Sequence, residues 1–361
     1  MAIWDKIGRR RALLAAAGMG VAMALQAVLP STASADDNDR LRNLIEPIKA
    51  DKPYKVGVTL VHLHDDFWKG IAYGIADEAE KSGIEVVQIS VAGAYGNVRE
   101  QFAQIEALKT LGVDAVIVGA AAFDGYNPIL RSVKEAGIKV VAAGIPVNST
   151  AVDFGVTQDD SAIGATLADV VCKAKGGDEA LAVTIPGPPG AEWARLRHVG
   201  FVEEAAKCKG LSVVQGPMRG NVGLEHGLSQ ASDLLLKNPE AKYVFTPEIS
   251  LGMGAAQGIR QNGSDAKVVS SAMVREAIPI IESGRIIAVV SEPGIVIGRL
   301  IVQYLIRDLE GKPMPGLVDP KGAPYPYLIV PNTLITPENT KTYPFDLWEF
   351  PPKEWSIQAF Q

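Results

Sequence analysis

The sequence predicts an α/β protein of two lobes, each a parallel sheet covered by helices on both faces. Three observations carry this expectation. Short β-rich apolar runs alternate with amphipathic helical stretches over most of the length. Glycines fall where those helices should stop, at Gly83, Gly112 and Gly137. The strands number about ten, more than one open sheet holds comfortably.

In chain order, Val56–Val61, Glu85–Ser90, Ala115–Gly119 and Lys139–Ala143 read as buried strands, with helices at 68–82, 97–111 and 127–136. The pattern then repeats. Strands at 152–156, 180–185, 211–215, 242–246, 267–270 and 286–291 alternate with helices near 161–174, 190–208, 224–237, 249–261, 274–283 and 294–309. Such strands are continuously apolar because both sheet faces are covered. Residues 311–361 differ: they carry ten prolines together with Trp348 and Trp355, and one strand, Tyr327–Val330, is readable there. The aromatic content predicts an extended wrap across the lobes rather than a disordered tail.

The first 35 residues read as an export signal. Lys6, Arg9, Arg10 and Arg11 form a basic start, Ala12–Leu29 is apolar, and Ala33-Ser34-Ala35 is a small-x-small cleavage site before Asp36-Asp37. Arg10-Arg11-Ala12-Leu13-Leu14 also fits a twin-arginine signal, and the general secretory route stays open beside it. The expected location is the periplasm, with cleavage after Ala35. No later stretch is apolar enough to span a membrane. The formal charge is −6, and removing four positive residues and Asp5 with the signal leaves −9. An acidic chain without a basic stripe argues against nucleic acid and against anionic lipid as partners. Cys172 and Cys208 are an even pair near predicted helix ends, and in an oxidising compartment they are expected to form a structural disulfide rather than two buried thiols.

Ligands of open parallel sheets bind beyond the carboxyl ends of the strands. The loops there contain Asp65, Phe67 and Trp68, a carboxylate beside two aromatic rings, and Asp159, Glu248 and Glu292 at equivalent positions in the other half. Arg195 is a candidate bidentate anchor. No Ser or Cys sits in a nucleophile elbow, and no phosphate-cradling loop is present. Gly252-x-Gly254 with Gly258 has the wrong spacing for a dinucleotide fingerprint. His62 and His64 lack a third ligand at metal spacing, so neither metal nor cofactor is expected. Binding without turnover is the expectation, and a periplasmic enzyme is a minor alternative.

From Pro53 to Pro331 the chain resembles the type I periplasmic solute-binding proteins of the ribose-binding group. The likeness rests on Asp65-Asp66-Phe67-Trp68 leading to Gly74 and Ala79, on Leu111-Gly112-Val113-Asp114-Ala115-Val116-Ile117-Val118, and on Ala136-Gly137-Ile138-Lys139-Val140-Val141. It continues through Val156-x-x-Asp159-Asp160-x-x-x-Gly164, Arg195-x-Arg197-x-x-Gly200-Phe201 and Ile281-x-x-Gly284. Within that family, the run Asp65 to Gly74 with Tyr73, the turn Ile185-Pro186-Gly187-Pro188 and the Phe345–Trp355 end resemble a subfamily of trimethylamine-N-oxide-sensing proteins. The chain departs from that subfamily at Asp159-Asp160 and at Ala272, where its pocket carries aromatic rings.

The resemblance implies two doubly wound lobes joined by three crossover hinges, lobe 1 from 53–148 plus 293–328 and lobe 2 from 149–292 plus 329–361. It implies closure on a small polar ligand in the cleft, read by a membrane partner. Tyr73 joins Asp65, Phe67, Trp68, Asp159, Arg195, Glu248 and Glu292 as an expected contact. A sensor histidine kinase is the partner the subfamily implies; the alternative is an ABC permease served by a sugar-type binding protein. Aromatic rings and carboxylates suit a methylamine-type cation, and they also suit a polyol or sugar.

Overall fold

A computed structural model describes residues 41, 43–319 and 323–360. The expected export segment lies outside these residues. Five strands open the chain: β1 (Lys55–Leu60), β2 (Glu85–Val91), β3 (Ala115–Val118), β4 (Lys139–Ala143) and β5 (Phe154–Thr157). Five more follow: β6 (Ala180–Thr184), β7 (Leu211–Gln215), β8 (Tyr243–Phe245), β9 (Lys267–Ser271) and β10 (Ile286–Ser291). The last two are β11 (Tyr327–Ile329) and β12 (Thr333–Ile335).

These strands form two six-stranded sheets, β11-β5-β4-β3-β1-β2 and β12-β10-β9-β8-β6-β7. Both are parallel except where β12 pairs antiparallel with β10. The central strands are apolar and buried along their length, as in Ala115–Val118, whereas the edge strand Leu211–Gln215 is largely open. That contrast follows from helices covering both faces of the middle of each sheet.

The chain passes between sheets three times: after β5, after β10 and between β11 and β12. The first passage lies later than the sequence implied. β5 pairs parallel with β4, Val141 opposite Phe154, so residues 154–157 belong to the first sheet rather than to the second lobe. The helix-free connection from Gly144 to Asp153 returns the chain to the sheet it left, and a strand read by itself carries no mark of which sheet receives it. β12 was not readable, being three residues long and set just after Pro331.

Helix packing sets the positions that matter for the cleft. The helix Asp66–Ser82 stops at Gly83, whose φ of 79° is the left-handed turn an L-residue with a side chain resists. In the second lobe, the helices Asp160–Lys175 and Glu192–Ala205 cross at Gly164 and Gly200. A Cβ on Gly164 would strike the Arg197 carbonyl, and one on Gly200 the Ser161 carbonyl. The missing side chains bring the two backbones together, and Arg197 arrives beside Asp160. Cys172, on the first of these helices, is bridged to Cys208, just beyond the second, with Cα atoms 6.0 Å apart.

The C-terminal segment lies on both lobes. Tyr343, Phe345 and Phe350 join the core of the second sheet, while Ile357 and the partly buried Trp355 and Phe360 pack on the first. Tyr73 meets Trp355 edge-on, with ring centroids 5.6 Å apart.

Candidate functional site

A cavity at the strand ends is lined from both lobes: Asp65, Phe67, Trp68, Tyr95 and Ile145 on one side, Trp193, Arg197, Val222, Glu248 and Ala272 on the other, and Glu292 at the second passage between sheets. Its free volume is about 20 Å³, room for about one water, so a larger solute is taken only after the walls part or their side chains turn aside. A wider groove of about 640 Å³ runs beside it under Pro351–Trp355, with Asp66, Lys69, Arg275, Glu276 and Lys353 on its walls. Its charges are mixed and dispersed, so the strand-end cavity is the better candidate.

Asp65 caps the helix Asp66–Ser82, its carboxylate accepting from the Trp68 N–H at 2.9 Å. Its second oxygen lies 3.7 Å from Nδ1 of His62. Burial, and then the charge of His64, lower the His62 pKa to about 4, so that imidazole is neutral near pH 7. Burial pushes the Asp65 carboxyl up to about 7; the Trp68 N–H opposes the rise, and Glu248 and Glu292 add to it. Glu248 caps the helix Ile249–Gln261 in the same manner, accepting from the N–H groups of Ser250 at 2.7 Å and Leu251 at 3.2 Å. Burial raises its pKa as well.

Glu292 is held differently. One oxygen accepts from Arg197 and the other from Gln158 Nε2 at 2.6 Å. Asn332 donates to Gln158 at 3.3 Å and to the Ser291 carbonyl at 2.7 Å. One residue from each passage between the sheets is thus tied into a single network. Arg197 is 2% exposed and also donates to Asp160 at 2.9 Å, Ser271 at 2.8 Å and the Pro247 carbonyl at 3.0 Å. Burial lowers its pKa, but Glu292 and Asp160 outweigh that and hold it above its usual value.

The aromatic walls complete the cavity. Phe67 packs edge-on against Trp68 at 5.2 Å, and Tyr95 lies 5.8 Å from Trp193. Trp68 donates its Nε1–H to the Tyr95 hydroxyl at 3.3 Å. The Arg197 guanidinium sits 4.9 Å over the Trp193 ring. Trp193 Nε1 is buried with no hydrogen-bond partner among the described residues.

Of the residues expected from the sequence, Asp65, Phe67, Trp68, Glu248 and Glu292 line this one cavity. Three expected contacts do not. Asp159 caps the helix Asp160–Lys175 through the Ala162 N–H at 2.9 Å and does not line the cavity. The Arg195 side chain is 49% exposed and pairs with Glu192 at 2.6 Å. Tyr73 packs on Trp355, away from the cavity. The missed residues are Arg197, Asp160, Tyr95, Trp193 and Gln158. A signal for Arg197 existed: it stands three residues before Gly200, on the helix face that packs closely, and two residues from Arg195 is roughly the opposite face. Tyr95 lies in a loop whose pattern announces nothing.

Residues 56–313 match the family described as Periplasmic binding protein domain. The chain belongs to that family. It is 49% identical to a solved structure described as a sugar ABC transport system, substrate-binding protein from Bordetella parapertussis 12822, with a TM-score of 0.85 over 88% of this chain and 100% of that one. It is 25% identical over 261 residues to the Ribose import binding protein RbsB of Bacillus subtilis (strain 168), covering 72% of this chain and 83% of that protein. Periplasmic protein TorT of Escherichia coli (strain K12) is 23% identical over 294 residues, 81% of each chain.

Proposed function

We propose that the chain is the substrate-binding protein of a sugar-type ABC importer, which closes on a small polar solute and delivers it to a membrane permease. One observation carries the reading: 49% identity over the whole of a solved chain described as a sugar ABC transport substrate-binding protein. The sensor-kinase role implied by the trimethylamine-N-oxide subfamily rests on 23% identity to TorT and is the weaker reading. The import reading replaces it as the main one.

The mechanism follows from the cavity's position. Its walls come from both lobes, so a solute touching Trp68 and Glu248 gains its full set of contacts only when the lobes are together. That difference in contacts is what shifts the population toward closure. Glu292, Gln158 and Asn332 lie on the passages about which the lobes turn, and Arg197 ties this hinge to the cavity wall. The permease reads closure; no bond is made or broken in the solute. Delivery to a permease places the protein in the periplasm, with the signal removed after Ala35, which the intact mass of exported protein checks.

A thermal-shift screen of sugars, polyols, methylamines and amino acids, followed by calorimetry, tests the reading. A sugar or polyol that raises Tm and binds with one-to-one stoichiometry supports it. Response to trimethylamine N-oxide alone returns the sensor reading.

A further inference from the structure

The cavity's charges do not balance within the protein. Arg197 spends its donors on Asp160, Glu292, Ser271 and the Pro247 carbonyl, and both Glu292 oxygens are occupied by Arg197 and Gln158. Asp65 and Glu248 remain. They come from opposite lobes, face one cavity, and among the described residues take only backbone N–H groups and the Ser250 side chain as hydrogen-bond donors. Glutamate is also an uncommon choice for a helix cap, where Ser, Thr, Asp or Asn serves better. Both of its oxygens accept from the Ser250 and Leu251 N–H groups, and the side chain lines the cavity while it caps. Independently of these carboxylates, Trp193 keeps a buried Nε1–H with no acceptor among the described residues, on a residue 4% exposed that lines the same space.

Building on the import reading, we propose that this cleft selects a solute bearing a protonated amine together with hydroxyl groups, with the ammonium between Asp65 and Glu248 and a hydroxyl oxygen accepting from Trp193 Nε1. Closure brings two carboxylates from separate lobes into one poorly solvated space, where like charges repel. A neutral polyol donates hydrogen bonds to them but brings no positive charge, so the repulsion is relieved only by a proton held on Asp65, whose carboxyl is raised to about 7. An ammonium offsets the repulsion and supplies several N–H donors at once, while the rings of Trp68, Phe67 and Tyr95 accept its positive face. A solute that also carried a carboxylate would need a free cation. Arg197 is fully engaged and His62 is neutral near pH 7, so amino acids fit poorly. A trimethylated amine oxide has no N–H with which to satisfy two carboxylates.

The test uses matched pairs of probes against the mature protein by calorimetry: glucosamine with glucose, galactosamine with galactose, and an amino pentitol with its pentitol. The amine of at least one pair should bind about tenfold or more tightly than its neutral parent, the scale of a charge-assisted hydrogen bond. Asp65→Asn and Glu248→Gln should each erase most of that preference. The neutral parent should stay within about threefold, since an amide oxygen still accepts from a hydroxyl. Asn retains the helix cap, circular dichroism confirms folding, and Arg195→Ala serves as the unaffected control. A neutral parent binding as tightly as its amine, with both substitutions weakening the two alike, overturns the proposal and leaves the binding-protein reading intact. Silence toward every member of every pair by folded protein overturns the amine proposal, and silence across the wider screen of sugars and polyols overturns the import reading.

Discussion

Two parts of the cavity wall use the same residue types to opposite ends. At the hinge, Arg197, Asp160, Glu292, Gln158 and Asn332 satisfy one another, and every charge has a partner inside the protein. At the helix caps, Asp65 and Glu248 face the same space with no ion-pair partner among the described residues beyond His62, whose imidazole is neutral near pH 7, and Trp193 holds a donor with no acceptor among the described residues. A closed network of buried charges fixes geometry; an open one is completed by something from outside. The hinge cluster therefore fits a scaffold, and the cap pair fits the recognition role proposed above.

The sharpest break in that comparison comes from Arg197. Arg197→Ala strands Asp160 and Glu292 in the interior, and removing one member of a buried ion pair costs about 3–5 kcal/mol. Urea unfolding followed by circular dichroism should show this loss. Arg195→Ala, two residues away on the exposed face, should stay within about 0.5 kcal/mol of the parent. Equal effects from the two arginines would mean that the hinge network is not holding the lobes.

A smaller effect is expected from the disulfide, which joins the segments carrying Asp160 and Arg197. The double substitution Cys172→Ser, Cys208→Ser removes a loop closure worth about 2–4 kcal/mol. The loss should appear in calorimetric unfolding as a lower Tm. Thiol titration of the unfolded, unreduced parent should find no free thiol, and two titratable thiols would remove the bridge from the account.

The same comparison explains what the sequence made legible. Strand–helix alternation and the helix-stopping glycines dictate two covered sheets, because a parallel strand buried on both faces must be apolar throughout. The cap residues Asp65 and Glu248 were readable because they sit where strands end, and strand ends are where such sheets bind. Arg197 and Asp160 were passed over for their neighbours Arg195 and Asp159. A shift of one or two residues on a helix changes which face a side chain occupies, and only the glycine crossing at Gly164 and Gly200 fixes that face. The assignment of β5 failed for a related reason: pairing partners of a short apolar strand are a long-range matter, and nothing within Phe154–Thr157 records them.

The smallest effect expected is the most diagnostic of the cap pair, and it concerns pH. The Asp65 carboxyl is raised from 3.8 to about 7 in the folded protein. A carboxyl whose folded pKa lies above its unfolded value makes folding more favourable when it is protonated, and that advantage fades as pH climbs from about 4 to about 7. Above this window the ionised group costs stability, on the order of 1–2 kcal/mol once solvent screening and the neighbouring carboxylates are allowed for. Asp65→Asn should therefore raise Tm relative to the parent at pH 8 and leave it little changed at pH 4. His62 works in the other direction, since its lowered pKa of about 4 costs stability as pH falls below its usual range. The difference between variant and parent, rather than either profile alone, isolates the carboxylate. A variant that is more stable yet binds amines more weakly shows a charge kept for the solute against the interest of the fold. A variant less stable than the parent at pH 8 shows instead that the charge of Asp65 supports the fold at the N-terminus of its helix.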